Sequence, residues 1–357
     1  MKFVVDDVAA TPDAGGVYSI LSDFYMDVIK NDHENEWFFI LAGKYFPESK
    51  NVKIIKRSDL KNSKAKKLLF ERLYGYKLIN SLNPDIYISL QNIATYNVNA
   101  KKQIVYLHQP VPFQKEKKFS FLKKNETVLA IYQHLIGKFI KMSISQVQPT
   151  VIVQTKWMKR VLLEQTKAQQ NEIVIAHPQI NSDTNLKKYH GDGKKFFYPA
   201  SNFMYKNHEL IYKAIKLLKK DDISNFKVDF TLNKDQLEYK DSTINYIGHI
   251  SRQEVMKMYD THVLLFPSYI ESFGLPLIEA ALHADIILAA DTEFSRELLA
   301  NYTNVYYYPY NDPKKLANLM EDVIKGKIKS NQKSININSG ESLLDTIKKL
   351  VNKNDKV

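Results

Sequence analysis

The sequence has 357 residues, enough for two domains at roughly 100–200 residues each. Hydrophobic residues make up 44% and charged residues 25%, a globular balance that excludes a disordered chain, a collagen-like chain and a coiled-coil rod. Lys and Arg outnumber Asp and Glu by 51 to 39, a net +12, and the absence of cysteine excludes a disulfide scaffold, a thiol nucleophile and a cysteine-ligated metal centre.

The basic balance points to an anionic partner: nucleic acid, nucleotide phosphates or an anionic membrane surface. The chain is also rich in Lys, Asn, Ile and Tyr, as an AT-rich coding sequence would make it, so codon usage is a competing source of the charge. Nucleic acid is not expected, because no helix-turn-helix, aromatic RNA-binding or zinc signature accompanies the charge. No apolar run reaches 18 residues. The opening MKFVVDDVAATPDAGG is too short in its apolar part for a secretory signal and reads as the first strand of a cytoplasmic protein.

Short apolar runs recur along the chain. They fall at 2–5, 37–41, 52–56, 85–90, 103–107, 150–154 and 172–176, then at 194–200, 226–232, 244–248, 262–268, 285–290 and 304–310. Runs of Val, Ile, Phe and Tyr without strict alternation predict strands buried on both faces. Amphipathic stretches such as 207–220 and 252–260 lie between them. The alternation predicts an α/β chain with two doubly wound, parallel-sheet, Rossmann-like domains facing across a cleft, each binding ligands beyond the carboxyl ends of its strands. The polar stretch before 194 reads as a linker at 181–193. That sets an N-terminal domain at 1–180, with a basic amphipathic segment at 115–142, and a C-terminal domain at 194–338. A final helix at 339–357, opened by a Ser-Gly-Glu cap signal, is placed to pack back on the N-terminal domain.

The window FPSYIESFGLPLIEAALHADIILAADTEFSRELL at 266–299 carries the most chemistry. A buried strand ends at Pro267, a loop holds Glu271, Ser272, Phe273 and Gly274, and Pro276 marks a helix start. Glu279 is expected in that helix's first turn. A loop feeding a helix N-terminus offers unpaired N–H groups and a positive dipole end, which suit an anion. Gly274 lets the anion approach the backbone. Two carboxylates eight positions apart could hold hydroxyls of a sugar-bearing phosphate ligand.

P-S-x-x-E-S-F-G-L-P-L-I-E-A closely resembles the E-x7-E motif of retaining family-4 glycosyltransferases of the GT-B fold. The resemblance is good over 195–300 and weak in the N-terminal half. It implies that Glu271 lies beside the donor sugar and that Glu279 binds the ribose hydroxyls. Backbone N–H groups of Ser272, Phe273, Gly274 and Leu275 would meet the diphosphate. Residues 198–218 resemble the segment carrying a basic pair for the diphosphate: Lys206 matches the lysine, while the arginine is missing and Ser201 and Asn202 stand nearby. Residues 244–259 resemble the nucleobase segment, with backbone contacts from Gly248, His249 and Ile250.

In the N-terminal half, Gly15 and Gly16 lie between the first strand and first helix. They read as a turn or, given the second domain, as a glycine loop lining the diphosphate and acceptor side. His108 ends a buried strand and resembles the histidine that reaches the donor sugar; a structural histidine before two prolines is the alternative. No D-x-D motif or close histidine pair occurs, so no metal and no other cofactor is expected.

Residues 101–142 hold nine Lys and two Glu, a net +7. Lys117, Lys118, Phe119, Phe121, Leu122, Lys123 and Lys124 read as an interfacial anchor, each lysine contributing roughly 1 kcal/mol at an anionic leaflet, or else as a solvated helix face. The resemblance implies a nucleotide-sugar donor, UDP on family frequency, and a lipid-linked saccharide acceptor on the inner face of the cytoplasmic membrane, in bacterial surface or capsule polysaccharide synthesis. Cleft closure would bring Gly15, Gly16 and His108 to the sugar and diphosphate. A nucleotide-sugar epimerase of the same architecture and a non-catalytic nucleotide-sugar or polysaccharide binding module are the alternatives.

Overall fold

The computed structural model describes residues 1–12, 16–60, 66, 69–180, 186–236, 239–336 and 341–352. Each apolar run forms a strand: β1 (Lys2–Asp7), β2 (Glu36–Leu41), β3 (Val52–Lys56), β4 (Ile86–Ser89), β5 (Lys102–Leu107), β6 (Thr150–Val153) and β7 (Ile173–Ile175). The second series is β8 (Lys195–Tyr198), β9 (Lys227–Phe230), β10 (Ile244–Tyr246), β11 (Val263–Phe266), β12 (Ile287–Ala290) and β13 (Val305–Tyr308). The helices that position the site are α1 (Gly16–Asn31), α2 (Gly75–Ser81), α3 (Gly137–Val147), α4 (Lys156–Gln165), α5 (His208–Lys220), α6 (Arg252–Met258), α7 (Leu275–Leu282), α8 (Glu293–Leu298), α9 (Pro313–Ile324) and α10 (Leu343–Asn352).

The strands make two sheets, ordered β3-β2-β1-β4-β5-β6-β7 and β10-β9-β8-β11-β12-β13, with parallel pairing throughout. β4, β6, β11 and β12 are buried at every residue, which is why their sequences lack the alternation of a half-exposed strand. Each sheet reverses its strand order once, between β1 and β4 in the first and between β8 and β11 in the second. At such a point the loops leaving the two strands turn in opposite directions and open a crevice.

Contacts divide the chain into two compact units, one of Met1–Phe121, Thr127–Gln179 and Gly340–Val357, the other of Leu122–Glu126 and Ile180–Ser339. Of the stretch read as a linker, 181–185 lie outside the described residues. Residues 186–193 fold with the second unit: Tyr189 N–H donates to His283 O (2.6 Å) and His190 N–H to Asp260 O (2.8 Å). Helix α10 shares a core with the first unit, where Leu344, Ile347 and Val351 join Leu21, Phe24 and Val28 of α1. Its cap is Ser342, whose Oγ accepts Asp345 N–H at 3.1 Å; Ser339 and Gly340 lie outside the described residues. Beneath α1, Phe3 and Trp37 stack at 4.2 Å on adjacent strands.

The first sheet buries two carboxylates near its reversal point. Asp6 ends up fully buried on β1, and Glu71 is 3% exposed. Glu71 accepts from Gln91 Nε2 (2.7 Å) and from Thr95 Oγ, and Tyr87 OH lies 2.8 Å from Thr95 Oγ and 3.4 Å from Asp6 Oδ2. One tyrosine, one threonine, one amide and the backbone N–H of Val8 do not offset the burial of two charged carboxylates. Burial pushes Asp6 up to about 6, and burial together with the Asp6 charge pushes Glu71 well above the ordinary carboxylate range. The folded state therefore binds more protons than the unfolded one, and stability falls as pH rises from about 4 through the folded-state values. Replacing Glu71 by Gln removes the second charge. Urea midpoints of Glu71→Gln should fall less between pH 5 and pH 8 than those of wild type; a parallel fall would show that the pair is not protonated.

Candidate active site

The second unit's site is built at the β8/β11 reversal. The loop after β8 reaches Lys206, and the loop after β11 reaches Glu271. Lys206 Nζ lies 2.5 Å from Glu271 Oε1, with both side chains largely buried. Ser268 Oγ donates to the same oxygen at 2.7 Å. Among the described residues nothing bonds the other oxygen, Oε2, so the carboxylate is fixed through one atom and available through its second.

Several bonds hold this arrangement. Tyr198, fully buried at the end of β8, donates its OH to Lys206 O at 2.7 Å. Burial, followed by the Glu271 charge, keeps that hydroxyl protonated well above the usual tyrosine range. Tyr269 N–H donates to Tyr205 O at 3.1 Å, tying the two loops directly. Asn207 adopts a left-handed backbone (φ 62°), and its amide donates to Tyr310 O (2.8 Å) and Pro267 O (3.3 Å), adding the loop after β13.

Gly274 is the N-cap of α7, with φ +107° and ψ +56°, a region side chains other than glycine's rarely adopt. No side chain caps this helix. By contrast, α6 and α8 are closed by capping boxes from Ser251 with Glu254 and from Thr292 with Ser295. The start of α7 therefore keeps a positive dipole end with no side-chain acceptor. Phe273 is buried, and Ser272, Leu275 and Pro276 are partly exposed.

Glu279 stands in the second turn of α7 rather than the first, because the helix starts at Leu275. Only 5% exposed, it meets Arg252 Nη2 at 2.9 Å and accepts from Tyr259 OH at 3.3 Å. Burial raises its pKa, and the Arg252 guanidinium draws it back down. Arg252 went unrecognised in the sequence reading, as did Ser268. Ser268 belongs to the P-S-x-x-E spacing, three residues before Glu271, a usable signal; nothing local announces that Arg252 pairs with Glu279.

The nucleobase segment follows β10. Gly248 has φ +72° and donates its N–H to Leu232 O at 3.1 Å, so a ligand contact from Gly248 falls to its carbonyl. His249 is exposed and Ile250 half-buried. Ser201 and Asn202 lie exposed after β8, Asn202 tied to Gln236 O. Among the described residues no group of three or more His, Asp or Glu is placed to hold a metal.

In the first unit, His108 follows β5. Its Nε2 lies 3.1 Å from both Leu90 O and Asn92 Nδ2, while Asn92 Oδ1 accepts the N–H groups of His108 (2.7 Å) and Gln109 (2.9 Å). Burial lowers its pKa to about 4, so the imidazole is neutral at physiological pH. Gly16 begins α1 with open space where a Cβ would stand; Gly15 lies outside the described residues.

The segment read as a membrane anchor is divided. Phe119 is buried at 3% exposure, its N–H donating to Gln133 Oε1 at 2.9 Å and Lys117 Nζ lying 5.5 Å from its ring. It therefore cannot face a membrane. Phe121 is 48% exposed and Leu122 is 96% exposed; Lys118, Lys123 and Lys124 are exposed as well.

Residues 181–339 match the family of glycosyl transferases group 1. The second unit is a group 1 glycosyltransferase domain. The chain thus carries a glycosyltransferase domain within a two-unit fold of GT-B type. Its fold is similar to that of WaaG, a glycosyltransferase involved in lipopolysaccharide biosynthesis (TM-score 0.68, 12% identity, 90% of each chain covered). It is also similar to sucrose-phosphate synthase from Thermosynechococcus elongatus (TM-score 0.68, 14% identity, 93% of this chain and 92% of the other). A third similar structure is Anabaena HepE in complex with UDP and glucose (TM-score 0.59, 14% identity, 93% and 92%). At these identities the likeness establishes the fold. No curated protein sequence matches the chain.

The group 1 domain depends on glycine at 274. A Cβ there would lie 3.3 Å from Leu277 Cδ1 in addition to the backbone strain. Gly274→Ala should lower stability by about 1–3 kcal/mol, read as a lower urea midpoint. An unchanged midpoint would show that the left-handed cap is not required.

Proposed function

We propose that the chain is a retaining, metal-independent glycosyltransferase that transfers a sugar from a UDP-sugar to a lipid-linked saccharide in bacterial surface or capsule polysaccharide synthesis, working as a peripheral protein on the inner face of the cytoplasmic membrane. The observation that carries this reading is the Lys206–Glu271 pair beside the uncapped start of α7. A cation, a helix dipole and a carboxylate with one oxygen available match a diphosphate joined to a sugar. The Anabaena relative with UDP and glucose supports UDP, and the lipopolysaccharide relative supports the acceptor class.

In this reading the donor diphosphate lies against the N-terminus of α7 and takes the Lys206 ammonium. Glu271, released from that ion pair, receives sugar hydroxyls on the side away from Ser268. Glu279, paired with Arg252, receives the ribose hydroxyls. The carbonyl of Gly248 and the backbone of His249 and Ile250 receive the base. The acceptor oxygen bonds to the anomeric carbon on the face from which the nucleotide departs. The bond from that carbon to the diphosphate oxygen breaks, and the acceptor's proton passes to the departing phosphate. Negative charge growing there is met by Lys206 and backbone dipoles, a contribution on the order of 3–4 kcal/mol per well-placed donor in comparable sites. The role of His108 is that of a neutral hydrogen-bonding group, since its imidazole carries no charge at working pH.

Nucleotide release from UDP-, GDP- and dTDP-sugars, with and without membrane lipid extract, tests this. Lipid-dependent UDP release is expected for wild type, with at least a hundredfold loss in Glu271→Ala and in Lys206→Ala. Isomerised sugar without lipid would indicate an epimerase, and donor binding without release would indicate a binding module. A chelator should leave the wild-type rate unchanged; a rate abolished by chelation and restored by Mg²⁺ or Mn²⁺ would overturn metal independence.

A further inference from the structure

The first unit carries a second site, a cavity of about 560 Å³ lined by side chains that include His134, Lys138, Lys141, Ser145, Gln146 and Lys167. Residues 134, 138, 141 and 145 recur at steps of three and four, so one helical face presents them. Lys167 arrives from the turn after α4, its backbone N–H donating to Ser145 Oγ at 3.1 Å.

The cavity is cationic and unpaired. No carboxylate lines it. Nearby Lys115 and Lys123 are paired with Glu164 and Glu126, whereas Lys138, Lys141 and Lys167 have no carboxylate partner among the described residues. Lys141 is partly withdrawn from water: its ammonium lies 5.4 Å from the Phe113 ring, and burial holds its pKa below that of an ordinary lysine. A half-desolvated cation with no carboxylate partner gains from a bound anion. Gln146 adds a neutral donor to the lining. Tyr96 OH donates to Gln146 Oε1 at 2.9 Å, which leaves the Gln146 amide nitrogen as a donor.

Three ammonium groups and an amide suit a ligand with several acceptor oxygens and a full negative charge, which is a phosphate. The rim identifies its source. Phe121, 48% exposed, has its ring 5.6 Å from that of His134, and Leu135 is 53% exposed on the next residue. Apolar side chains beside a basic cavity fit an acyl-chain boundary rather than bulk water. We propose that this cavity binds the phosphate of an anionic phospholipid headgroup, with Phe121 and Leu135 entering the interface beside it. The proposal rests on the membrane reading given above and moves its electrostatic centre from Lys117–Lys124 to Lys138, Lys141 and Lys167.

Cosedimentation of the full chain tests it. The vesicles are phosphatidylcholine alone or in equal parts with phosphatidylglycerol. A triple Lys→Gln variant at 138, 141 and 167 is compared with one at Lys314, Lys315 and Lys333, which removes the same charge from the other unit. At about fivefold per lysine, the cavity variant should bind the anionic vesicles roughly a hundredfold more weakly. The remote variant should lose far less. A triple Lys→Arg variant at the cavity should keep binding, which separates charge loss from misfolding. Equal losses in the cavity and remote variants would overturn the site, as would unchanged binding in the cavity variant. A cavity that takes millimolar inorganic phosphate, read as a Lys-dependent rise in melting temperature, yet gives no selectivity for phosphatidylglycerol, would overturn the lipid source. If wild type ignores anionic vesicles altogether, the membrane reading fails as a whole. If wild type binds but the cavity variant is unaffected, only the cavity assignment fails.

Discussion

The ion pair between Lys206 and Glu271 joins two loops that lie 65 residues apart in sequence. It forms because β8 and β11 are neighbours at the one place where the second sheet reverses its order. Hydrophobic burial of the strands fixes the sheet, the sheet fixes where the loops emerge, and the loops need only the Tyr269–Tyr205 and Asn207 bonds to set the two side chains in contact. In the ligand-free protein the pair has a second consequence. Each charge satisfies the other, so neither stands desolvated and alone, a condition that would be costly at a partly buried site.

The two units use the same parallel, once-reversed topology for opposite electrostatics. At the reversal of the second sheet, a cation and an uncapped helix end await negative charge. Near the reversal of the first, Asp6 and Glu71 are buried together, and burial pushes both of their pKa values up. Fold alone would assign the two crevices similar roles; the side chains at the strand ends distinguish them. The same lesson applies to Glu279. Burial pushes its pKa up and the guanidinium of Arg252, a residue from another helix, opposes that rise.

Much of this was legible beforehand. All thirteen apolar runs became strands, because a mostly buried parallel strand draws on a short run of Val, Ile, Leu, Phe and Tyr, and that signal is local. The Glu271-to-Glu279 window was legible for a similar reason: loop, glycine and helix start are contiguous in the chain. The features that escaped depend on distant partners. Arg252 reaches Glu279 across 27 positions, and no spacing rule links them. Phe119 reads as an exposed anchor residue because its neighbours are lysines, yet Gln133 and the folded segment around it enclose the ring. Glu279 falls in the second turn because Gly274, in its left-handed conformation, lets the helix begin at Leu275, one residue before the proline that marks its start in the sequence. The cationic cavity escaped because Lys167 joins Lys138 and Lys141 only through the packing of a later turn.

The assignment of α10 to the first unit has a consequence for how the protein is made. The first unit consists of three stretches of chain, and the whole group 1 domain lies between the second and the third. On the ribosome, Leu344, Ile347 and Val351 emerge only after that domain has been translated. At roughly 5–20 residues per second, the face of α1 that they cover stays open for about fifteen to sixty seconds. During that interval the later-encoded domain can finish folding first, while the earlier one presents Leu21, Phe24 and Val28 to whatever chaperone attends the nascent chain.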